Sequence, residues 1–474
     1  MVFLAVAVGI ALIYAVWCLW VPLLPTNVFV PLLDLGKITG YRWSSAALYL
    51  SIVLLLYALY AIGYRLSARV KTWWIFAAAT MFCGELLFAY PATAVDIFGY
   101  IADGRLLALH GVNPFIVAPN AFPGDPIVRF LAFPSEPAQY GPVWVLLNGG
   151  IARIANGDLV SEVLLYKLLA AIAHLASGAV ILRIAQILTR DAAQARASAY
   201  LFVFNPLLLW EMVANAHNDG LMMLLGLLGV WLFVGQRNLL VLPTLALAAL
   251  VKVPVALIAP SLFIGIWQRS WPRALEGVLL ALALAAAVYR PFWQGPDTLT
   301  ALRRTDLFTA SIASVLRLAL RPYTGVAEAS LVARSVSLSA FAGVVVIALL
   351  LAIRAETDAD LLGAAYITLL GGVLLLTTWF QAWYIVWPLA IGAALADPRR
   401  HLEVALLSLG GLLQYFVFIY LWVIGLFPLE ENIGVQATAY IAIIGPLVLA
   451  LAIRAARTGW RNPIPSRVPT REYH

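Results

Sequence analysis

Arg, Pro, Gly and Asn divide this chain into roughly a dozen apolar stretches, many close to the ~20 residues a helix needs to cross a hydrocarbon core about 30 Å thick. That pattern confines the chain to an all-α, polytopic membrane architecture. The runs fall near 3–21, 44–63, 72–90, 161–188, 198–213, 219–235, 239–251, 254–267, 274–291, 332–353, 361–378, 383–396, 403–426 and 435–453. Several are short, so the expected fold has roughly 12–14 transmembrane or half-membrane helices with amphipathic helices in its extracytoplasmic loops. Composition agrees: 63% of the 474 residues are hydrophobic and 11% charged, with a mean hydropathy of +0.94, far too apolar for a water-soluble globule.

Basic residues in the short loops set an orientation. With the N-terminus in the cytoplasm, Arg65, Arg69, Lys71, Arg190, Arg196, Arg237, Arg269, Arg273, Arg354, Arg399 and Arg400 all fall inside, as the positive-inside bias requires. Two long segments, 91–160 and 292–331, then face outward, the second carrying Arg303, Arg304, Arg317 and Arg321. The expected organisation is one membrane domain over 1–457 and a cytoplasmic tail over 458–474. The net charge of +7 reflects helix ends and loops, and points to membrane lipids as partners rather than nucleic acid. The first span lacks a basic leader and a small-residue cleavage site, so it reads as a retained helix. Cys18 and Cys83 lie within apolar runs and read as hydrophobic filler.

Against this background the polar residues stand out. In the stretch from Asp96 to Phe115, Asp96, Asp103 and His110 recur every seven residues, so on a helix they drift only about 20° per step and share a face. Ile97, Phe98, Ile101, Ala102 and Leu109 take the other side, as in a helix lying at the membrane interface. Arg105 falls about 180° from Asp96 on an ideal helix. Asn113, before Pro114, belongs to the turn that ends the helix. The plain alternative is an interfacial connector with solvated carboxylates. A second polar group, Glu211, Asn215, His217, Asn218 and Asp219, returns to the same side of the membrane. A third segment, Thr378 to Pro388, is aromatic-rich; Gln381 and Trp383 suit either an interfacial belt or a lipid-linked sugar. Tyr140 admits the same two readings. Lys252 interrupts a span at Val251-Lys-Val-Pro254, and either faces a cavity or snorkels to the surface. Walker, dinucleotide, His-Glu-x-x-His and nucleophile-elbow motifs are all missing, so no cofactor is implied, and the His217/Asp219 spacing is no recognised metal signature.

Val95-Asp96, Tyr100, Gly104-Arg105, Gly111-x-Asn113-Pro114, Tyr140-Gly-Pro142, Asn205-Pro206, Asn215-x-His-Asn-Asp219 and Trp379-x-x-x-Trp-Tyr384 together resemble the GT-C superfamily of integral membrane glycosyltransferases. The closest likeness is to its polyprenol-phosphate-mannose-dependent α-(1,6)-mannosyltransferases. The resemblance implies a polyprenyl-phosphate sugar donor, a glycolipid or polysaccharide acceptor, and Asp96 as catalytic base in the first large extracytoplasmic loop. It implies an active site on the outer face of the cytoplasmic membrane. Such chemistry needs a base for the acceptor hydroxyl and cations for the departing phosphate; Arg105, Lys252, Arg290, Arg303 and Arg304 are the candidates for the second task. Asp103, His110, Asn113, Tyr140, His217, Asn218, Asp219, Gln381 and Trp383 are candidate substrate contacts. The expected reaction inverts the anomeric centre without a metal. A multi-pass lipid flippase, with Lys252 on a midplane path, is the competing expectation.

Overall fold

A computed structural model describes residues 1–303 and 307–459. The chain opens with α1 (Val2–Trp20), α2 (Trp43–Ser67) and α3 (Thr72–Leu86), then lays down two shorter helices, α4 (Asp96–Ala108) and α5 (Pro142–Ala155). The long α6 (Leu159–Thr189) is followed by α7 (Ala192–Val203) and, after a 42° bend, the segment Pro206–Ala214. Next come α8 (Asp219–Val234), α9 (Asn238–Ala249), α10 (Ala259–Arg269), α11 (Trp271–Tyr289), α12 (Ile312–Thr324), α13 (Val326–Ile353), α14 (Asp358–Gly371), α15 (Val386–Ala394), α16 (Pro398–Tyr415) and α17 (Ile433–Gly459). Among the described residues eight helices are long and apolar enough to span a membrane, or nine if the bent pair counts as one span. The all-α, polytopic expectation holds. Five of the expected spans, at 72–90, 219–235, 239–251, 254–267 and 383–396, are helices too short to cross alone.

Local chemistry explains where the helices start. Asp158 and Asp191 accept backbone N–H bonds at the heads of α6 and α7, Asn205 caps the segment beginning at Pro206, and Ser311 and Thr357 form capping boxes on α12 and α14. Each satisfies donors that a helix otherwise leaves bare. Helix α12 lies inside the segment expected to be a loop; its Ser311 cap was the available signal.

The turns rich in arginine gather at one end of the bundle. Arg196 bonds the Ala68 carbonyl, His401 contacts Tyr64 and Ser198, and Arg269 pairs with Asp358 while bonding Phe233 and Asn238. The helices run from there to the opposite end, where 89–96, 139–143, 215–219, 250–254 and 378–387 meet. Burial in the core is deepest around α15, every residue of which is buried.

Candidate active site

Two carboxylates begin helices at the crowded end. Asp96 is the first residue of α4 and Asp219 the first of α8, positions where the helix dipole favours an anion. The loops that deliver them share one support: Lys167, fully buried in α6, donates to the carbonyls of Ala89 and Ala214. A third loop is stitched to the break at Lys252. Gly141 and Val143 donate to the Val251 and Leu250 carbonyls at 3.1 Å each, and a β-carbon at position 141 would collide with the Leu250 carbonyl. That close approach is what the Tyr-Gly-Pro sequence permits, and it sets Tyr140 beside Lys252.

The side chains then converge. Asp96 Oδ2 lies 3.4 Å from His217 Nδ1 and accepts from the Tyr140 hydroxyl at 3.5 Å. Asp219 is wholly buried; its Oδ2 takes the Lys252 ammonium at 2.6 Å and its Oδ1 the Trp387 indole N–H at 2.7 Å. The ammonium also sits 5.3 Å from the Tyr140 ring and 5.2 Å from the Tyr384 ring, within cation–π range. Behind Asp96, His217 Nε2 stands 3.2 Å from Glu211 Oε2, and its ring stacks on Trp383 with centroids 3.9 Å apart. Both imidazole contacts are ion pairs by distance, and neither meets hydrogen-bond angles, so charge and stacking hold the ring.

Electrostatics follow from this arrangement. Burial works to raise the Asp96 pKa, but His217, Lys252 and the Tyr140 hydroxyl outweigh it and hold the carboxyl below its ordinary value. Burial works to lower the His217 pKa, but the Asp96 and Glu211 carboxylates reverse that and push it up to about 9. Asp103, 6% exposed and without a hydrogen-bond partner among the described residues, has its carboxyl pushed up by burial to about 8. At neutral pH it is chiefly a neutral acid, able to donate.

Three adjoining cavities meet at these groups. The first, about 290 Å³, is lined by Asp96, Asp103, Glu136, Gln139, Gln381 and Trp383 among others. A second, about 230 Å³, has Asp96, Tyr140, Lys252, Trp379 and Tyr384 in its wall. The third, about 190 Å³, runs from Lys252 and Tyr140 past Phe115, Val253, Pro254 and Tyr289. Asp96 borders the first two, and Lys252 the last two.

The structure thus brings together Asp96, Asp103, Tyr140, His217, Asp219, Lys252, Gln381 and Trp383 from the sequence expectations. His217 stands behind Asp96, wholly buried, rather than in a cavity wall, and the enclosed Asn218 side-chain amide finds no partner among the described residues. Four residues depart from expectation. The Arg105 guanidinium is engaged by Glu162 at 2.7 Å, Asp125 at 2.8 Å and the Gly157 carbonyl, facing away from Asp96 as the helical angle required. His110 lies past the end of α4 and pairs with Asp125 at 3.0 Å while stacking on Phe122. Asn113 bridges its own turn to the Phe292 carbonyl. Arg290 is exposed at the end of α11 and borders none of the three cavities. Arg303 closes a short 3-10 turn with its side chain undescribed, and Arg304 lies outside the described residues. Trp387 and Tyr384 lie in the aromatic Thr378-to-Pro388 segment but are not among the expected contacts; nothing local marks them as partners of Asp219 and Lys252.

An all-helical membrane bundle that gathers two helix-initiating carboxylates, a lysine and an aromatic wall at one end is built like the GT-C glycosyltransferases its motifs resemble. Comparison with known proteins narrows the class. Residues 2–269 match the family model described as alpha-(1->6)-mannopyranosyltransferase, N-terminal domain, and the chain belongs to that family. It is 26% identical over 411 residues to alpha-(1->6)-mannopyranosyltransferase A of Mycobacterium tuberculosis, an alignment covering 80% of this chain and 76% of that protein. Over 203 residues it is 28% identical to alpha-(1->6)-mannopyranosyltransferase B of Corynebacterium glutamicum, covering 42% of this chain and 29% of the relative.

Proposed function

We propose that this protein transfers mannose from a polyprenyl-phosphate donor to a glycolipid or polysaccharide acceptor at the extracytoplasmic face of the cytoplasmic membrane, with Asp96 as general base. The observation that carries the reading is the placement of Asp96 between two unlike spaces. On one side lie the lysine and an apolar channel; on the other lie carboxyl, amide and indole groups with no cation. A lipid phosphate suits the first, because Lys252 has N–H donors beyond the one given to Asp219, its one ion-pair partner among the described residues. A neutral sugar suits the second, where Trp379 and Trp383 offer flat apolar faces and Gln381 and Asp103 offer hydrogen bonds.

In this reading the acceptor hydroxyl gives its proton to Asp96 as its oxygen bonds to the anomeric carbon. The bond from that carbon to the donor phosphate oxygen breaks, and the electron pair leaves on the phosphate, steadied by Lys252. Attack opposite the leaving group inverts the centre, so a β-linked donor gives an α-glycoside. Arg105 has no part in it; Lys252 takes the role foreseen for a set of cations. Membership of the mannopyranosyltransferase family supports the enzyme over the flippase reading.

The test is transfer of radiolabelled mannose from polyprenyl phosphate by purified protein. Wild type should transfer and Asp96→Asn should not; equal rates would remove the base assignment, and no transfer from any of several lipid-linked sugars would restore the flippase. Repeating the assay with a chelator tests the expectation that no metal is needed. A cysteine placed within 91–160 should label with an impermeant reagent in intact cells; labelling only after permeabilisation would reverse the sidedness.

A further inference from the structure

We propose that Glu211 and His217 act as a pair of positioning residues: the carboxylate keeps the imidazole charged, and the charged ring keeps Asp96 ionised and aimed at the acceptor cavity. This rests on Asp96 being the base. Its basis is a row of three groups along one line of depth. Asp96 is at the cavity wall, His217 is 1% exposed, and Glu211 is 0% exposed in the bent segment before α8. An isolated buried carboxylate is strongly disfavoured, so Glu211 must be compensated. It is: Oε1 accepts from the Thr93 hydroxyl at 3.1 Å, Oε2 from the Asn215 amide at 3.0 Å, and the imidazole lies at 3.2 Å. Thr93 and Asn215 are also bonded to one another. The loops before Asp96 and before Asp219 are therefore locked around the same buried anion.

The ring itself has no freedom to serve the substrate. One face is covered by the Trp383 indole, and its two nitrogens face the two carboxylates. Held there as an imidazolium, it has no lone pair to accept a proton from the acceptor. What it supplies is fixed positive charge beside Asp96, which lets a largely enclosed carboxylate stay ionised. The remaining charged and titratable groups facing the row are Lys252, already paired with Asp219, and the hydroxyls of Tyr49, Tyr100, Tyr140, Tyr384 and Tyr415. None of the tyrosines can supply the cation, and Lys252 is committed in part to a different anion.

The pH dependence of kcat/KM, measured by mannosyl transfer in detergent or proteoliposomes, distinguishes this from a packing role. Glu211→Gln keeps the side-chain shape and an acceptor oxygen for Thr93 or Asn215. It should bring the alkaline limb down by about one pH unit or more, a tenfold change in the ionisation constant, and leave the acid limb no higher, since the ring is charged at acid pH with or without Glu211. The bell narrows from the alkaline side, while the donor KM at its centre stays nearly constant. His217→Asn, which removes the cation beside Asp96, should raise the acid limb by about one pH unit or more and abolish the alkaline one. A uniform fall in rate with both limbs in place, in either variant, overturns the proposal. Where Glu211→Gln fails to fold, His217→Asn decides alone; where both fail, Thr93→Val, which removes one bond to Glu211, should narrow the bell by less, and an unchanged profile counts against the pair. The Asp96→Asn control separates the two levels. Residual wild-type transfer there ends the base reading itself, whereas a dead Asp96→Asn beside an unshifted Glu211→Gln ends only the pairing.

Discussion

Helix α4 carries two clusters of acid, histidine and cation that look alike in sequence and behave differently in the fold. At its first residue, Asp96 meets His217 and Tyr140 and borders two cavities. Nine residues on, Arg105 meets Glu162 and Asp125, and Asp125 in turn meets His110. The Arg105 cluster is closed: Nε, Nη1 and Nη2 all donate, in part twice, and Glu162 is wholly buried beneath them. The Asp96 cluster is open, with carboxylate and ammonium capacity left on the cavity side. Charge inside a membrane protein therefore has two uses here, fastening one loop to the bundle and chemistry at the other. The difference lies in unsatisfied capacity beside empty space rather than in residue type.

The largest expected effect would come from removing the open carboxylate. Asp96→Asn should cost about 10²–10⁴-fold in kcat and leave thermal stability near wild type, since an amide can still face Tyr140. Arg105→Met should do the opposite. Leaving Glu162 buried and unpaired should destabilise by about 3–5 kcal/mol, read as a lower melting temperature in detergent, while the folded fraction keeps its kcat. Loss of kcat at unchanged stability in Arg105→Met would merge the two clusters into one functional site.

A smaller effect should come from pH. The His217 pKa is raised above its ordinary 6.5 to about 9. Its charge-linked contribution is thus fully present below about pH 6.5 and lost as pH rises through about 9. The Asp96 pKa is lowered from its ordinary 3.8, so its contribution is present above that value and lost only as pH falls through the lower folded value. Wild-type kcat/KM should accordingly be level across neutral pH and decline on the alkaline side near 9. A rate still level at pH 10 would mean that the ring's charge is irrelevant to Asp96.

The sequence resolved parts of this contrast and missed others for physical reasons. Apolar run lengths sufficed for the membrane architecture, and the helical angle between Asp96 and Arg105 already turned the arginine away. The heptad spacing also grouped Asp103 with Asp96, and both line the first cavity. It failed for His110, because α4 stops at Ala108 and Gly111, at a φ of +67°, sends the chain elsewhere. Contacts made across long separations left no local trace. Glu162 lies 57 residues from Arg105, and Trp387 lies 168 from Asp219; a span-length argument cannot say which helices become neighbours. Lys252 was legible only as a break in a span, and its partner emerged from the way α8 and α9 pack together.

The least expected effect belongs to His110, and it tests the contrast from the quiet side. Its ring is 26% exposed, stacks on Phe122 and contacts one oxygen of Asp125. The other Asp125 oxygen is already held by Arg105 and by the Ile127 backbone N–H, so deletion of the imidazole leaves no buried charge alone. His110→Ala should therefore lower stability by less than about 1 kcal/mol, as for partly exposed ion pairs, with donor and acceptor KM unchanged. A tenfold or greater rise in acceptor KM would show that the helix face predicted from the seven-residue spacing reaches the substrate after all, through the loop that Asp125 anchors.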